Sequence, residues 1–243
     1  MKSVSSQKNL LVWFRLLMKY RSQKFKRKAN RLQVSLLSQY LEKDSVFFDI
    51  GANKGLFTYW ACRRIGKNGA VHTFEPQKEL KWIFESLNRH FKKININYND
   101  FGLSDAPSSA LLARSCIGDG SASLSSAVDS GSQEAIEIQL DTLDNYCQRN
   151  EIRRIDFIKI DVEGHEFATL QGAQKTIESF RPKMLIEMSP SPSSSGNINY
   201  LKSLGYQIKM ISGGQIFQSN SKFAEDFTSN SPSYKSNADM LFY

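Results

Sequence analysis

The sequence predicts one α/β domain, a mostly parallel sheet with helices on both faces, carried behind a basic helical arm. Three observations lead there. From residue 46 onward, short apolar runs alternate with helical patterns, as expected of parallel strands joined by crossover helices. The first run, Val46 to Ile50, enters a tight glycine loop, Gly51-Ala-Asn-Lys-Gly55. The chain of 243 residues, 40% hydrophobic and 23% charged, suits one large globular unit and excludes collagen, long disorder and a disulfide-stapled miniprotein.

The arm, residues 1–43, holds eleven Lys/Arg against the single acid Glu42, so the formal charge of +8 belongs to it and residues 44–243 are near neutral. That removes most of the force from a nucleic-acid reading based on total charge. Leu10 to Met18 is apolar except for Arg15. It is too short to span a bilayer, which takes about 20 apolar residues, and no small-residue cleavage site follows it. A helix packed on the domain or on a partner chain is the plainer reading. The alternative is a basic amphipathic helix, within residues 8–31, peripheral to an anionic membrane and anchored by Trp13 and Phe14. Cys62, Cys116 and Cys147 form neither a bridge framework nor a zinc site and suit a reducing compartment, so a cytoplasmic location is expected.

Strands follow at Val46 to Ile50, Ala70 to Glu75, Ile94 to Tyr98, Ile155 to Asp161 and Lys183 to Met188, each an apolar run bounded by turn residues. A helix is expected from Pro76 to Phe91, with Leu80, Ile83, Phe84, Leu87 and Phe91 on one face and Pro76 at its start. Another follows Gly164, with Phe167, Leu170 and Ile177 at helical spacing. A helix closes near Leu204 before strands at Tyr206 to Ile211, Gln215 to Gln218 and Met240 to Tyr243. Residues 104–132 break the alternation with ten serines, and then Ile136, Ile138 and Leu140 alternate. This reads as a loop or hairpin insertion that either contacts substrate or is merely solvated.

Chemistry gathers at three strand ends. The loop Asp49-Ile-Gly-Ala-Asn-Lys-Gly55 is not a G-x-G-x-x-G fingerprint, because Asn53 takes the second glycine's place, and it is not a Walker loop. It lies where open α/β sheets bind ligands. Glu75 ends the second strand, placed to take both hydroxyls of a ribose; the competing reading is an acid at a helix start. The third end is Ile158-Lys-Ile-Asp-Val-Glu-Gly-His-Glu166, where Asp161, Glu163 and His165 crowd the same edge. His165 could equally be a helix-start residue. Lys159 inside this apolar strand is either an internal carboxylate partner or points outward. An adenosine ligand without a phosphate cradle points to S-adenosylmethionine.

In this order and spacing the sequence resembles the FkbM family of S-adenosylmethionine-dependent methyltransferases. The resemblance rests on Phe48-Asp-Ile-Gly-Ala-Asn-Lys-Gly55, Phe74-Glu-Pro76, Gly102-Leu-Ser-Asp105 and Ile158 to Glu166, with Leu170-Gln-Gly172, Leu185-Ile-Glu187 and Leu241-Phe242 in support. It leaves the arm and the serine-rich segment outside. It implies a Rossmann-like, seven-stranded class I methyltransferase sheet with a reversed strand near the end. It also implies a cofactor site of Asp49, Gly51, Asn53, Gly55 and Glu75, with adenine near Leu103 to Asp105. Family members typically methylate hydroxyls of sugars, glycolipids or polyketides, so O-methylation of a glycan or related small molecule is expected.

Such transfer needs alignment of donor and acceptor and removal of the hydroxyl proton. The candidate catalytic residues are Asp161, Glu163 and His165. A divalent metal on Asp161 and Glu187 is the less favoured alternative. Against the enzyme stands a second class of function, an inactive methyltransferase-like scaffold docking through its arm.

Overall fold

The computed structural model describes residues 31–124, 134–188, 192–212, 215–218 and 238–243. The apolar stretch Leu10 to Met18, residues 125–132 of the serine-rich segment and a short Ser/Pro stretch expected as a loop at Thr228 to Ser236 lie outside the described residues.

Helix α1 (Arg31–Tyr40) leads into β1 (Val46–Ile50), α2 (Leu56–Arg64), β2 (Ala70–Phe74), a 3-10 turn at Lys78–Leu80, α3 (Lys81–His90) and β3 (Asn95–Asn99). Then come β4 (Gly102–Leu103), β5 (Ser108–Arg114), β6 (Ser123–Leu124), β7 (Glu134–Asp141) and α4 (Leu143–Arg149). The chain continues through β8 (Phe157–Ile160), α5 (Glu166–Gln171), α6 (Gln174–Phe180), β9 (Lys183–Met188) and α7 (Pro192–Ser203). It closes with β10 (Ile208–Ser212), β11 (Gln215–Gln218) and β12 (Ala238–Phe242).

The main sheet runs β11-β10-β12-β9-β8-β1-β2-β3. Strands β9, β8, β1, β2 and β3 are parallel, and β12 is inserted antiparallel between β9 and β10. Seven of these strands have the arrangement the resemblance implies. The eighth is β11, a short strand on the outer edge of β10.

Strand parity sorts the two faces. In β1, Phe48 and Ile50 join the core with α4, α5, α6 and α7, whereas Phe47 joins the core with α1, α2 and α3. Both faces are covered, which is why these strands read as unbroken apolar runs. Helix α1 belongs to this packing: Val34, Leu36, Leu37 and Leu41 are buried. The last part of the basic arm is therefore core.

Two helices differ from their expected outlines. The Pro76 to Phe91 helix begins later, as a 3-10 turn at Lys78, because the ψ of 89° at Gln77 is not helical. The helix after Gly164 is split into α5 and α6 at Gly172, where a Cβ would come within 1.9 Å of the Ser104 carbonyl oxygen.

The described part of the serine-rich segment, residues 104–124, carries the antiparallel strands β5 and β6 of a second sheet of order β4-β7-β5-β6, in which β5 also pairs antiparallel with β7. Leu112, Ile138 and Leu140 form its small apolar cluster.

Candidate active site

The bend after β1 is built from left-handed backbone: Gly51 has φ +74°, Asn53 +43° and Gly55 +68°. At Gly51 the reason is close approach. A Cβ there would lie 1.8 Å from the carbonyl oxygen of Asp161, so β8 leaves no room for any side chain. Gly55 meets α3 instead, its missing Cβ 3.0 Å from Leu87 and 3.3 Å from Phe84. The bend is tied to β2 by the N–H groups of Gly51 and Ala52, which both donate to the Phe74 carbonyl at 3.0 Å.

Glu75 faces this bend. Its Oε2 accepts from the Asn53 N–H at 2.8 Å, and its Oε1 accepts from the Gln77 N–H at 3.0 Å. Burial pushes the carboxyl above its usual range, and these amides work in the opposite direction. Each oxygen keeps a lone pair for a further donor.

Asp49 does not reach the cavity. It shares strand parity with Phe47, so it points under α2, where Oδ2 accepts from the Thr58 N–H at 2.9 Å and the Thr58 hydroxyl at 2.6 Å. Wholly buried, its carboxyl is raised by desolvation, with Lys159 opposing. Expected at the cofactor, it is instead a support for the helix that follows the bend.

Lys159 resolves the other way round from an outward-pointing lysine. It is buried, donates to Asp161 Oδ2 at 2.6 Å and lies 4.5 Å from the Phe57 ring centroid. Burial works against its charge, but Asp161 and Asp49 outweigh that and hold it protonated. Glu187 also acts on this ammonium. The Asp161 and Glu187 pair therefore already has a cation in Lys159, and the donor set does not fit a divalent ion. Among the described residues no group of three or more His, Cys, Asp or Glu could hold a metal.

A cavity of about 240 Å³ lies over these strand ends. Its lining includes Gly51, Asn53, Glu75, Leu103, Asp161, Glu163 and His165 of the expected site, and leaves out Asp49, Gly55 and Asp105. Glu163 has φ +50° in the β8–α5 turn, and its carboxyl is pushed up to about 7 by burial and then by Asp161 and Glu187. His165 is half-buried, which lowers its tendency to protonate, while Asp105 favours the charge.

The hairpin, which the sequence left open between contacting substrate and being merely solvated, supplies a wall: Leu112, Ala122, Leu124, Ile138 and Leu140 also line the cavity. Its tip is strapped down. The Asn53 amide donates to the Asp119 carbonyl at 3.1 Å, and Gln77 Oε1 accepts from the Gly118 N–H at 2.8 Å. Arg114, with a side chain only 1% exposed, donates to Glu79 at 2.6 Å, pairs with Glu134 at 3.3 Å and reaches Gln77 Oε1 at 3.3 Å. Only the charge of Arg114 within an alternating strand could have marked it in the sequence.

A sheet parallel but for β12 and the short edge strand β11, a glycine bend after β1 and an acid at the tip of β2 facing that bend together define a class I methyltransferase fold. Residues 49–208 match the family model of the methyltransferase FkbM domain, and the chain belongs to that family. The match runs through the serine-rich hairpin, which the resemblance had left outside the pattern. No curated protein matches the chain in sequence.

Among solved structures, methyltransferase FkbM from Methylobacillus flagellatus is similar, with 16% identity and a TM-score of 0.50 over 84% of this chain and 44% of that one. The chain thus spans less than half of that protein's length. An rRNA methylase from Streptococcus thermophilus is 13% identical, with a TM-score of 0.48 over 87% of this chain and 93% of that one. Aeropyrum pernix fibrillarin, in complex with natively bound S-adenosyl-L-methionine, is 12% identical, with a TM-score of 0.47 over 88% of this chain and 74% of that one.

Proposed function

We propose that the protein transfers the methyl group of S-adenosylmethionine to a hydroxyl of a sugar, glycan, glycolipid or related metabolite. The observation that supports this most is Glu75: a buried carboxylate, oriented by two backbone amides against the β1 bend, with lone pairs left for the two hydroxyls of a ribose. Leu103, Leu112, Ile138 and Leu140 offer an apolar slot for adenine in the same cavity. Bound adenosylmethionine would supply a methyl group activated by its sulfonium. Asp161 and Glu163 give that positive charge an acidic surface, and Glu163 or His165 can receive a proton. The short apolar tetrad with proline expected of many amino-directed enzymes is absent, since Asp161-Val-Glu-Gly164 stands in its place. Among the described residues no helix is long and apolar enough to cross a membrane. A glycolipid acceptor at an anionic membrane surface is the form of this reading that gives residues 8–31 a task.

Incubation with methyl-labelled adenosylmethionine and fractionated cell glycans and lipids tests the reaction. Label is expected in a base-stable ether of a glycan or lipid; label confined to RNA or protein would overturn the acceptor class. The site has its own control. Glu75→Gln keeps the shape but weakens the charged hydrogen bonds, each worth about 1.5–3 kcal/mol, so binding by calorimetry should weaken by about 10-fold or more. Undiminished affinity would remove Glu75 from the nucleoside site.

A further inference from the structure

We infer that Ser104 and Asp105 position His165 through a hydrogen-bond relay that fixes the imidazole as its Nε2–H form and leaves Nδ1 as the proton-accepting atom of the site. The relay stands on its own geometry; the hydroxyl that Nδ1 serves rests on the methyl-transfer reading above.

His165 Nε2 lies 2.9 Å from Ser104 Oγ, and Ser104 Oγ donates to Asp105 Oδ1 at 2.9 Å. A carboxylate only accepts, so the single hydroxyl hydrogen is committed to Asp105. The contact to His165 must then be Nε2–H donating into the serine oxygen, and the lone pair of the neutral ring belongs to Nδ1. The ring lines the cavity beside Leu103 and Glu163.

Ser104 is held tightly enough to set a tautomer. Its side is buried, its N–H donates to the Asp141 carbonyl at 2.9 Å, and the preceding Leu103 carbonyl accepts from the Thr169 hydroxyl at 3.0 Å. Gly172 presses on its carbonyl oxygen from the α5–α6 junction. Three separated motifs, Gly102 to Asp105, Gly164-His165 and Leu170 to Gly172, thus converge on one serine. Asp105, expected at the adenine, acts here on the base instead.

The chemistry balances without a further reactant. The hydroxyl oxygen's electron pair forms the new carbon–oxygen bond, and the methyl–sulfur bond breaks with its electrons going to sulfur. The hydroxyl proton moves to Nδ1, so the positive charge leaves a sulfonium and reappears on an imidazolium. Asp105, reached through Ser104, favours that imidazolium, whereas burial keeps the resting ring neutral. The other charged groups near the ring are Asp161 and Glu163 of the β8–α5 turn, Glu166 at the start of α5, and Lys54, Glu75, Asp119 and Lys159 around the same cavity.

Long-range proton–nitrogen correlation spectra of the full chain with labelled histidine test the relay between pH 5 and 9, with the His165 signals assigned by their loss in His165→Gln. The expected result is an Nε2–H tautomer in the unaltered chain and a mixture of tautomers in Ser104→Ala. Asp105→Asn should lower the His165 titration midpoint by about half a pH unit or more. Saturating adenosylmethionine should lower it too, because a sulfonium beside Nδ1 opposes protonation. An Nδ1–H tautomer in the unaltered chain, or a midpoint indifferent to Asp105→Asn, would overturn the relay. A midpoint indifferent to adenosylmethionine that calorimetry shows to be bound would remove Nδ1 from the reacting centre. Absence of binding by calorimetry with the tautomer as expected would instead refute the donor reading while the relay stands. Asp105 is exposed, so its variant keeps the test sharp even if Ser104→Ala fails to fold.

Discussion

Glu163 carries the clearest pH consequence among single residues. Its carboxyl titrates near pH 7, high because burial and the neighbouring acids Asp161 and Glu187 disfavour the charge. A bound sulfonium favours the carboxylate and so lowers that value on binding. The sign is then fixed: below pH 7 the group must give up a proton for the donor to bind, and above it the carboxylate is already formed. Affinity should rise between pH 6 and 8, by up to about tenfold if the shift on binding is one unit. Calorimetry in two buffers of different ionisation enthalpy would also detect the released proton. A flat affinity with no proton release would place the sulfonium away from Glu163. Asp49 shows where residue-level reading fails. Composition marks it as one more acid at the strand end, but its parity with Phe47 turns it towards α2. That inference was available from the alternation of β1 alone. Gly51 teaches the reverse: the glycine was legible, yet its reason is the Asp161 carbonyl, not a ligand.

Strands β1 and β9 were legible in the sequence to the residue, because both faces of a central parallel strand are buried and the run of apolar side chains is continuous. The second sheet was legible only as a loop or hairpin insertion. Serine gives little apolar contrast, and only Ile136, Ile138 and Leu140 show the alternation of a strand with one covered face. Whether this insertion walls a site or is merely solvated stayed open, because the same serine-rich pattern fits both. Pairing between elements also creates an effect no single segment reveals. Asp239 on β12 stands opposite Glu187 on β9, and Gln33 of α1 donates to it at 2.6 Å. Burial, and then Glu187, push its carboxyl up to about 7. A carboxyl with a folded-state value above its unfolded one binds more protons when folded, so stability falls as pH rises from about 4 to 7. Asp239→Asn should raise Tm at pH 8 by several degrees and change it little at pH 4, a difference that thermal unfolding at the two pH values reads directly. Equal effects at both would assign the change to packing.

At the scale of the whole molecule, a seven-stranded sheet with a reversed strand near its end was implied by resemblance, and the boundary between arm and domain was not legible. Basic residues continue to Lys43, but Val34 is buried, and Leu36, Leu37 and Leu41 are buried in the core with α2 and α3. Each such side chain contributes about 1.5–3 kcal/mol, and together they rival a typical margin of about 5–15 kcal/mol. Deleting residues 1–43 should therefore abolish cooperative unfolding, whereas deleting residues 1–30 should preserve it, along with adenosylmethionine affinity. Loss of affinity in the shorter deletion would make the arm part of the site. Charge alone placed the division at a solubility boundary; burial places it inside α1.

Asn53 has two attachments, its backbone to Glu75 and its side chain to the hairpin tip. The residue that orients the Glu75 carboxyl therefore also anchors the hairpin wall of the cavity, so a substitution at Asn53 that removes the amide disturbs the two together.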